Sequence, residues 1–200
     1  MSRPRAFDEQ QVLEQAREKF WATGFAGTRM DDIAKVTGLG KGSLYGAFGD
    51  KGKLFHRVFD DWCTAVIDVA KGQLAGGPDA QAMARLAGYI HLMAENTAAD
   101  TERRGCLVAK GAAELAEHDA TVAARSAETM KALLTLLRTD IGAAQRHGDI
   151  DSAADPERLA ALLLTVVRGI EAVGKAGLDP ETLRNIADTA LAVLPTSKRS

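Results

Sequence analysis

This chain lacks most of the features that mark a specialised class of protein. It has only two cysteines, Cys63 and Cys106, far apart in sequence. That rules out a disulfide-stapled framework and the clustered spacing of a structural zinc site, so no metal is expected. No apolar run approaches the roughly 20 residues of a membrane helix. The longest, Leu159 to Val167, is bounded by Arg158 and Arg168, so no membrane partner is expected. The N-terminus has neither the apolar core nor the cleavage site of a signal peptide, which predicts a cytoplasmic protein with reduced thiols. A phosphate-cradling glycine loop, a zinc-binding HExxH and a Gly-x-Ser-x-Gly elbow are also missing. These absences predict a protein that is not an enzyme and needs no cofactor.

Charge of one sign is lacking too, since 25 Lys and Arg face 27 Asp and Glu for a net −2. The distribution is more telling than the sum. Residues 1–60 carry 10 basic against 8 acidic side chains, whereas residues 61–200 are acidic overall. Arg3, Arg5, Arg29, Lys41, Lys51 and Lys53 bracket one short segment, where they form a small basic footprint for phosphates.

Strand-like alternation is absent, and what is present is helix after helix, so the chain reads as all-α. Residues 8–23 have Asp8 as N-cap, an apolar face of Val12, Leu13, Ala16 and Phe20, and a stop at Gly24. Asp50 starts a longer helix to about Leu74, ended by Gly76, Gly77 and Pro78. Further helices are expected at 79–98, 103–116, 119–147, 155–175 and 179–194. Pro156 and Pro180 follow Asp155 and Asp179 in first-turn positions. Residues from Pro195 onward are expected to fray.

The segment Met30–Lys53, MDDIAKVTGLGKGSLYGAFGDKGK, packs two short helices and a glycine turn into a helix-turn-helix span. Thr28 is read as the N-cap of the first helix, with Asp31 completing a capping box. Ile33, Val36 and Leu44 supply apolar contacts, Ala34 allows close approach, and Gly38 takes the left-handed turn. Lys41, Ser43 and Tyr45 offer a cation, a hydroxyl and a phenol to DNA. The same spacing also serves a plain helical corner.

Four linked stretches decide between these readings: Phe20 to Thr28 (FWATGFAGT), Asp31 to Leu39 (DDIAKVTGL), Gly40 to Phe48 (GKGSLYGAF) and Asp50 to Phe55 (DKGKLF). In register, they resemble the DNA-binding segment of TetR-family transcriptional regulators. The resemblance implies an N-terminal three-helix DNA-binding domain with a helix-turn-helix (1–49) and a larger helical C-terminal ligand-binding and dimerisation domain (50–200). It implies double-stranded DNA as partner and contacts from Thr28, Arg29, Lys41, Gly42, Ser43, Tyr45 and Lys51. Gly46 and Ala47 depart from the family pattern, so contacts from those two side chains should be missing. Gly42 and Gly46 each weaken the third helix by roughly 1 kcal/mol relative to alanine.

The resemblance further implies a homodimer joined through the last two helices. Leu159, Leu163, Val166, Val167 and Ile170, with Gly169 and Gly174, form one apolar stripe, and Leu183, Ile186, Ala187, Ala190, Leu191 and Leu194 form a second. Packing within one chain would use the same stripes. The segment Arg103 to Ala116 (RRGCLVAKGAAELA) resembles the branch of the family in which a Gly-Cys pair senses electrophiles or oxidants. A thiol in a first helical turn near Arg103 and Arg104 would have a stabilised thiolate, with Lys175 as a candidate amine partner. Alternatively Cys106 is a small buried hydrophobe. For an unidentified small-molecule inducer, Trp62, Tyr89, His91, Met93, Met130 and Arg168 are candidate pocket residues, though the same spacing suits plain core. A helical enzyme, or a scaffold whose corner has lost DNA contact, is the alternative to a DNA-binding repressor.

Overall fold

The computed structural model describes residues 7–197. Among the described residues there are nine α-helices: α1 (Glu9–Thr23), α2 (Met30–Thr37), α3 (Lys41–Phe48), α4 (Lys51–Leu74), α5 (Ala82–Ala99), α6 (Leu107–Leu115), α7 (Ala120–His147), α8 (Pro156–Ala176) and α9 (Pro180–Ala192). One 3₁₀ turn, Asp79–Gln81, leads into α5. Arg3 and Arg5 lie outside the described residues. No described helix is long and apolar enough to cross a membrane.

The chemistry of the helix ends is as the sequence foretells. Asp8 accepts from the Gln10 and Gln11 N–H groups at 2.9 and 3.3 Å. Asp155 and Asp179 cap α8 and α9, each followed by proline in the first turn. There the missing N–H costs nothing, because the helix could not have used it. Gly38 ends α2 in the left-handed conformation at φ 66°, a geometry in which a Cβ would crowd the backbone.

The chain divides into two compact units that do not follow chain order: Met1–Thr64 with Leu107–Ser126, and Ala65–Cys106 with Ala127–Ser200. The first half of α4, all of α6 and the start of α7 therefore fall with the N-terminal helices. In this N-terminal unit Phe20, Phe55 and Phe59 stack edge and face, with centroids 5.1 and 5.5 Å apart, over buried Ile33, Leu44 and Leu54. Each buried ring contributes roughly 1.5–3 kcal/mol. α6 lies flush on α4 because Gly111 faces the Phe59 ring, where a Cβ would stand only 2.5 Å from the ring edge.

In the C-terminal unit α5 packs on α8 and α9, and α8 packs on α9. Leu86, Ile90, Leu133, Leu137, Leu163, Val167, Ile170 and Leu183 form its core. Gly174 takes the methyl of Thr97 against its backbone, so it serves packing inside the chain, whereas Gly169 faces open space.

Three local expectations are corrected. Val36 is 44% exposed and adds nothing to the core of the corner. The helix expected from 103 begins at Leu107, because Arg103 (φ 52°) and Gly105 (φ 69°) are left-handed and Asp100 draws the Gly105 N–H and Arg104 into a loop. Cys106 thus precedes the helix rather than sitting in its first turn. The residues after α9 do not fray at once: Thr196 bridges to Ile150, and Asp151 N–H donates to the Pro195 carbonyl at 2.9 Å.

Asp140 of α7, only 2% exposed, takes a forked pair of hydrogen bonds from Arg85 of α5 at 2.6–3.2 Å. Arg85 is held charged more firmly than usual, chiefly by that bond. Truncating one partner strands the other away from water, a loss of about 3 kcal/mol or more. Asp140→Ala should therefore lower the unfolding free energy by that amount, seen as a lower midpoint in a guanidinium titration followed by circular dichroism. An unchanged midpoint would show that the pair does not hold α5 to α7.

Candidate nucleic-acid interface

α3 turns Leu44 (0% exposed) and Phe48 into the core and leaves Lys41, Gly42, Ser43, Tyr45 and Gly46 outside. That division follows from the i, i+4 spacing of the two buried residues. Tyr45 is 50% exposed, and Val36 of α2 is the other large apolar side chain left bare on this helix pair. The open first turn of α3 presents backbone N–H groups and the positive end of the helix to the same side. Lys41 Nζ lies 2.6 Å from Asp31, and this exposed pair raises the lysine pKa above its ordinary value, mainly through the hydrogen bond. A phosphate can compete for such a solvated lysine at little cost. No atom lies within 4 Å of where a Cβ would stand on Gly42 or Gly46, so neither glycine is needed for packing. They leave that face of α3 flat.

Two of the residues expected at DNA are committed inside the unit. Thr28 is fully buried, its hydroxyl donating to the Gly24 carbonyl at 2.6 Å with Thr23 Oγ1 at 2.8 Å. It is not the N-cap of α2 either. Arg29 holds that position, and its N–H donates to Asp32 at 2.9 Å while Asp31 is engaged with Lys41. Lys51 Nζ donates to the Phe25 and Thr28 carbonyls, both at 3.0 Å, and lies 4.1 Å from the centroid of the Phe25 ring. Arg29 remains exposed beside α3.

The turn between α1 and α2 is also held by α6. Glu114 Oε2 accepts from the Ala26 N–H at 3.0 Å, and Lys110 Nζ donates to the Trp21 carbonyl. The Glu114 carboxylate lies so close to Gly24 that a Cβ there would displace it. Sequence reasoning missed Lys110 and Glu114, which stand about 85 residues along the chain from the turn and look like ordinary surface charges. Below α6, His56 Nε2 meets Asp119 at 2.6 Å, and that bond is the main reason the Asp119 carboxyl is held below its usual range.

The candidate effector residues separate. Tyr89, Arg168 and Cys106 come together in the C-terminal unit: Arg168 Nη1 is 3.2 Å from Cys106 Sγ and 3.0 Å from Glu171. Burial pushes Tyr89 to about 12, with Arg168 opposing and Glu171 and Cys106 adding. Burial likewise raises Glu171, against the pull of Arg168 and a hydrogen bond from Cys106. Glu171 was not foreseen, although a charged pair three residues apart on so apolar a helix is the signal that could have found it. The Lys175 side chain lies against Gly105. His91 instead pairs with Asp188 at 2.8 Å on the surface, and Met93 and Met130 pack on the core. Trp62 belongs to the N-terminal unit, tilted against Trp21 with centroids 4.8 Å apart.

Comparison with known proteins gives two matching family models. One, described as bacterial regulatory proteins of the tetR family, matches residues 12–58. The other, a tetracyclin repressor-like C-terminal domain, matches residues 82–190. The chain is similar to the HTH-type transcriptional repressor ComR of Escherichia coli K12, 25% identical over 96% of this chain and 91% of ComR. It is also similar to the repressor BdcR of the same organism, 35% identical over 30% of each chain. Among solved structures it resembles the transcriptional regulator CifR, a variant with three cysteines replaced and complexed with a 26-base-pair operator duplex. There the TM-score is 0.83, with 28% identity over 97% of this chain and all of that one.

The buried Thr28 hydroxyl yields a direct test. Thr28→Val keeps the shape but leaves the Gly24 carbonyl without its donor, so thermal unfolding should show a loss of about 1 kcal/mol in the N-terminal unit. Thr28→Ser should stay near the parent. Equal melting of parent and valine variant would remove the threonine from the account of the corner.

Proposed function

Because the chain belongs to the TetR family of bacterial regulatory proteins, a family of DNA-binding transcriptional regulators, we propose that it is a repressor. Two copies would sit on a palindromic operator, each presenting α3. The observation that carries this reading is the exposed face of Lys41, Gly42, Ser43 and Tyr45 beside Arg29, on a helix otherwise packed by Leu44 and Phe48. Arg29, Lys41, the N–H groups of the first turn and Tyr45 would hold phosphates, with Ser43 and Lys41 nearest the base edges. Thr28 and Lys51 support them from behind. ComR and BdcR are named as repressors, and CifR has been captured on operator DNA, which supports the reading.

Dimerisation would use α8 and α9, but not through the stripes expected from sequence. Leu163, Val167, Ile170, Leu183 and Ala187 are buried in this chain's own core, which leaves Leu162 (44% exposed) and Gly169 bare on the outward side of α8, with Val166 and Val173 partly covered. Release would follow from a small-molecule inducer or from electrophile or oxidant modification of Cys106, in the manner of the Gly-Cys branch. Cys106 immediately precedes α6, whose Lys110 and Glu114 grip the α1–α2 turn. A displacement at the thiol therefore enters α6 through the chain itself. The inducer works only by its differential affinity for the state with the wrong recognition-helix spacing.

Fluorescence anisotropy on the DNA upstream of the gene should show salt-dependent binding by the purified protein, and its absence would end the repressor reading. Tyr45→Ala should weaken that binding about tenfold with the oligomer unchanged on a sizing column. An unaltered affinity would take Tyr45 out of the interface. Electrophile treatment should release the parent protein from this DNA but leave Cys106→Ser bound. A serine variant that releases equally would exclude the thiol as sensor.

A further inference from the structure

Around Cys106 the C-terminal unit places two opposite charges where an apolar helix face would otherwise run. Arg168 and Glu171 are three residues apart on α8, side chains 20% and 18% exposed, among buried Leu164, Val167 and Ile170. Their contact is oddly made for a structural pair. Glu171 Oε2 lies 3.0 Å from Arg168 Nη1, yet it has no aligned hydrogen bond, and neither does Arg168 Nε. A pair present only for stability would satisfy both atoms, since buried polar groups left unmet are costly. Instead both side chains turn to the same sulfur: Arg168 Nη1 is 3.2 Å from Cys106 Sγ, and Cys106 hydrogen-bonds to Glu171.

The geometry points to Arg168 and Glu171 as an opposed pair that sets the reactivity of Cys106, Arg168 favouring the thiolate and Glu171 holding the proton on the thiol. The guanidinium has no protons to accept and stabilises only negative sulfur. The carboxylate accepts a hydrogen bond from S–H and repels S⁻. Other charged or titratable groups near this sulfur are common to the parent and the variants below. Tyr89 of α5 stays neutral, with its pKa near 12. In the preceding loop Arg104 is bound to Asp100 at 3.2 Å, while Lys175 lies along Gly105.

This inference deepens the reading of Cys106 as sensor and rests on it for biological meaning, but its test reads the thiol directly. Iodoacetamide forms an Sγ–C bond as iodide leaves and the thiol proton passes to solvent, so its rate follows the thiolate fraction. Mass spectrometry of the Cys106 peptide, taken across pH, gives a midpoint and a high-pH plateau. In E171Q the midpoint should fall by about one unit, making alkylation at pH 7 about tenfold faster. In Arg168→Met it should rise by about one unit, with alkylation about tenfold slower, while Arg168→Lys stays nearer the parent. Plateaus should be unchanged. A rise only in the plateau would mean looser packing, and an unmoved or raised midpoint in E171Q would overturn the proposal. E171Q decides alone should the methionine variant not fold, because its carboxamide is the same shape as the group it replaces. If the midpoints shift as stated but alkylated parent protein keeps its DNA, the sensor reading fails and the opposed pair stands.

Discussion

The N-terminal unit depends on how the backbone between Trp21 and Thr28 is satisfied. When α1 ends, its last carbonyls lose their helical partners, and a six-residue connection to α2 adds more unpaired groups. In this unit they are met by side chains from three places. Thr28 returns a hydroxyl to the Gly24 carbonyl, Lys51 reaches from α4 to the Phe25 and Thr28 carbonyls, and Lys110 and Glu114 reach from α6 to Trp21 and Ala26. Water would satisfy those groups equally well, but it would not fix where α2 starts. Since α2 and the Gly38 turn lead into α3, these bonds fix where that helix pair begins.

Commitment of Lys51 and Thr28 to this turn changes what a phosphate finds. The ammonium between two carbonyls and over an aromatic face is a fixed support, whereas Lys41, tied only to exposed Asp31, can exchange partners. The proposed interface would therefore have a rigid rear and an adaptable front. Flat glycine positions at 42 and 46 would suit that front, since nothing packs over them and a DNA backbone could come close there. The same two glycines lower the intrinsic helicity of α3, so its order derives from Leu44 and Phe48 beneath it.

Much of this was legible in the sequence, and the legible part is the local part. Caps at Asp8, Asp155 and Asp179, prolines in first turns and the left-handed Gly38 depend on neighbours a few residues away, and all stand where reading placed them. The N-terminus of α2 was misread by one residue because Thr28 is as good a cap chemically as it is a core hydroxyl; only the long-range fold decides which. Val36 satisfied the helical period yet faces out, since a corner of two eight-residue helices has just one buried edge. Asp100 stopped the helix expected at 103 by capturing the Gly105 N–H, a bond across five residues that no periodicity reveals. Glu114, Lys110 and Glu171 act on partners far away in sequence or on a sulfur whose surroundings only folding assembles.

α8 carries the last step. Its buried side packs on α5 and α9, and Arg168 and Glu171 flank that side toward Cys106. At 100° per residue, Leu162, Val166, Gly169 and Val173 fall on nearly the opposite side of the same helix. Under the proposed sensing, a modified thiol would lose its proton for Glu171 and its negative form for Arg168 together, which would leave both side chains of α8 to find new partners. Cys106 would then act on α8 through Arg168 and Glu171, and on Leu107 as its neighbour in the chain.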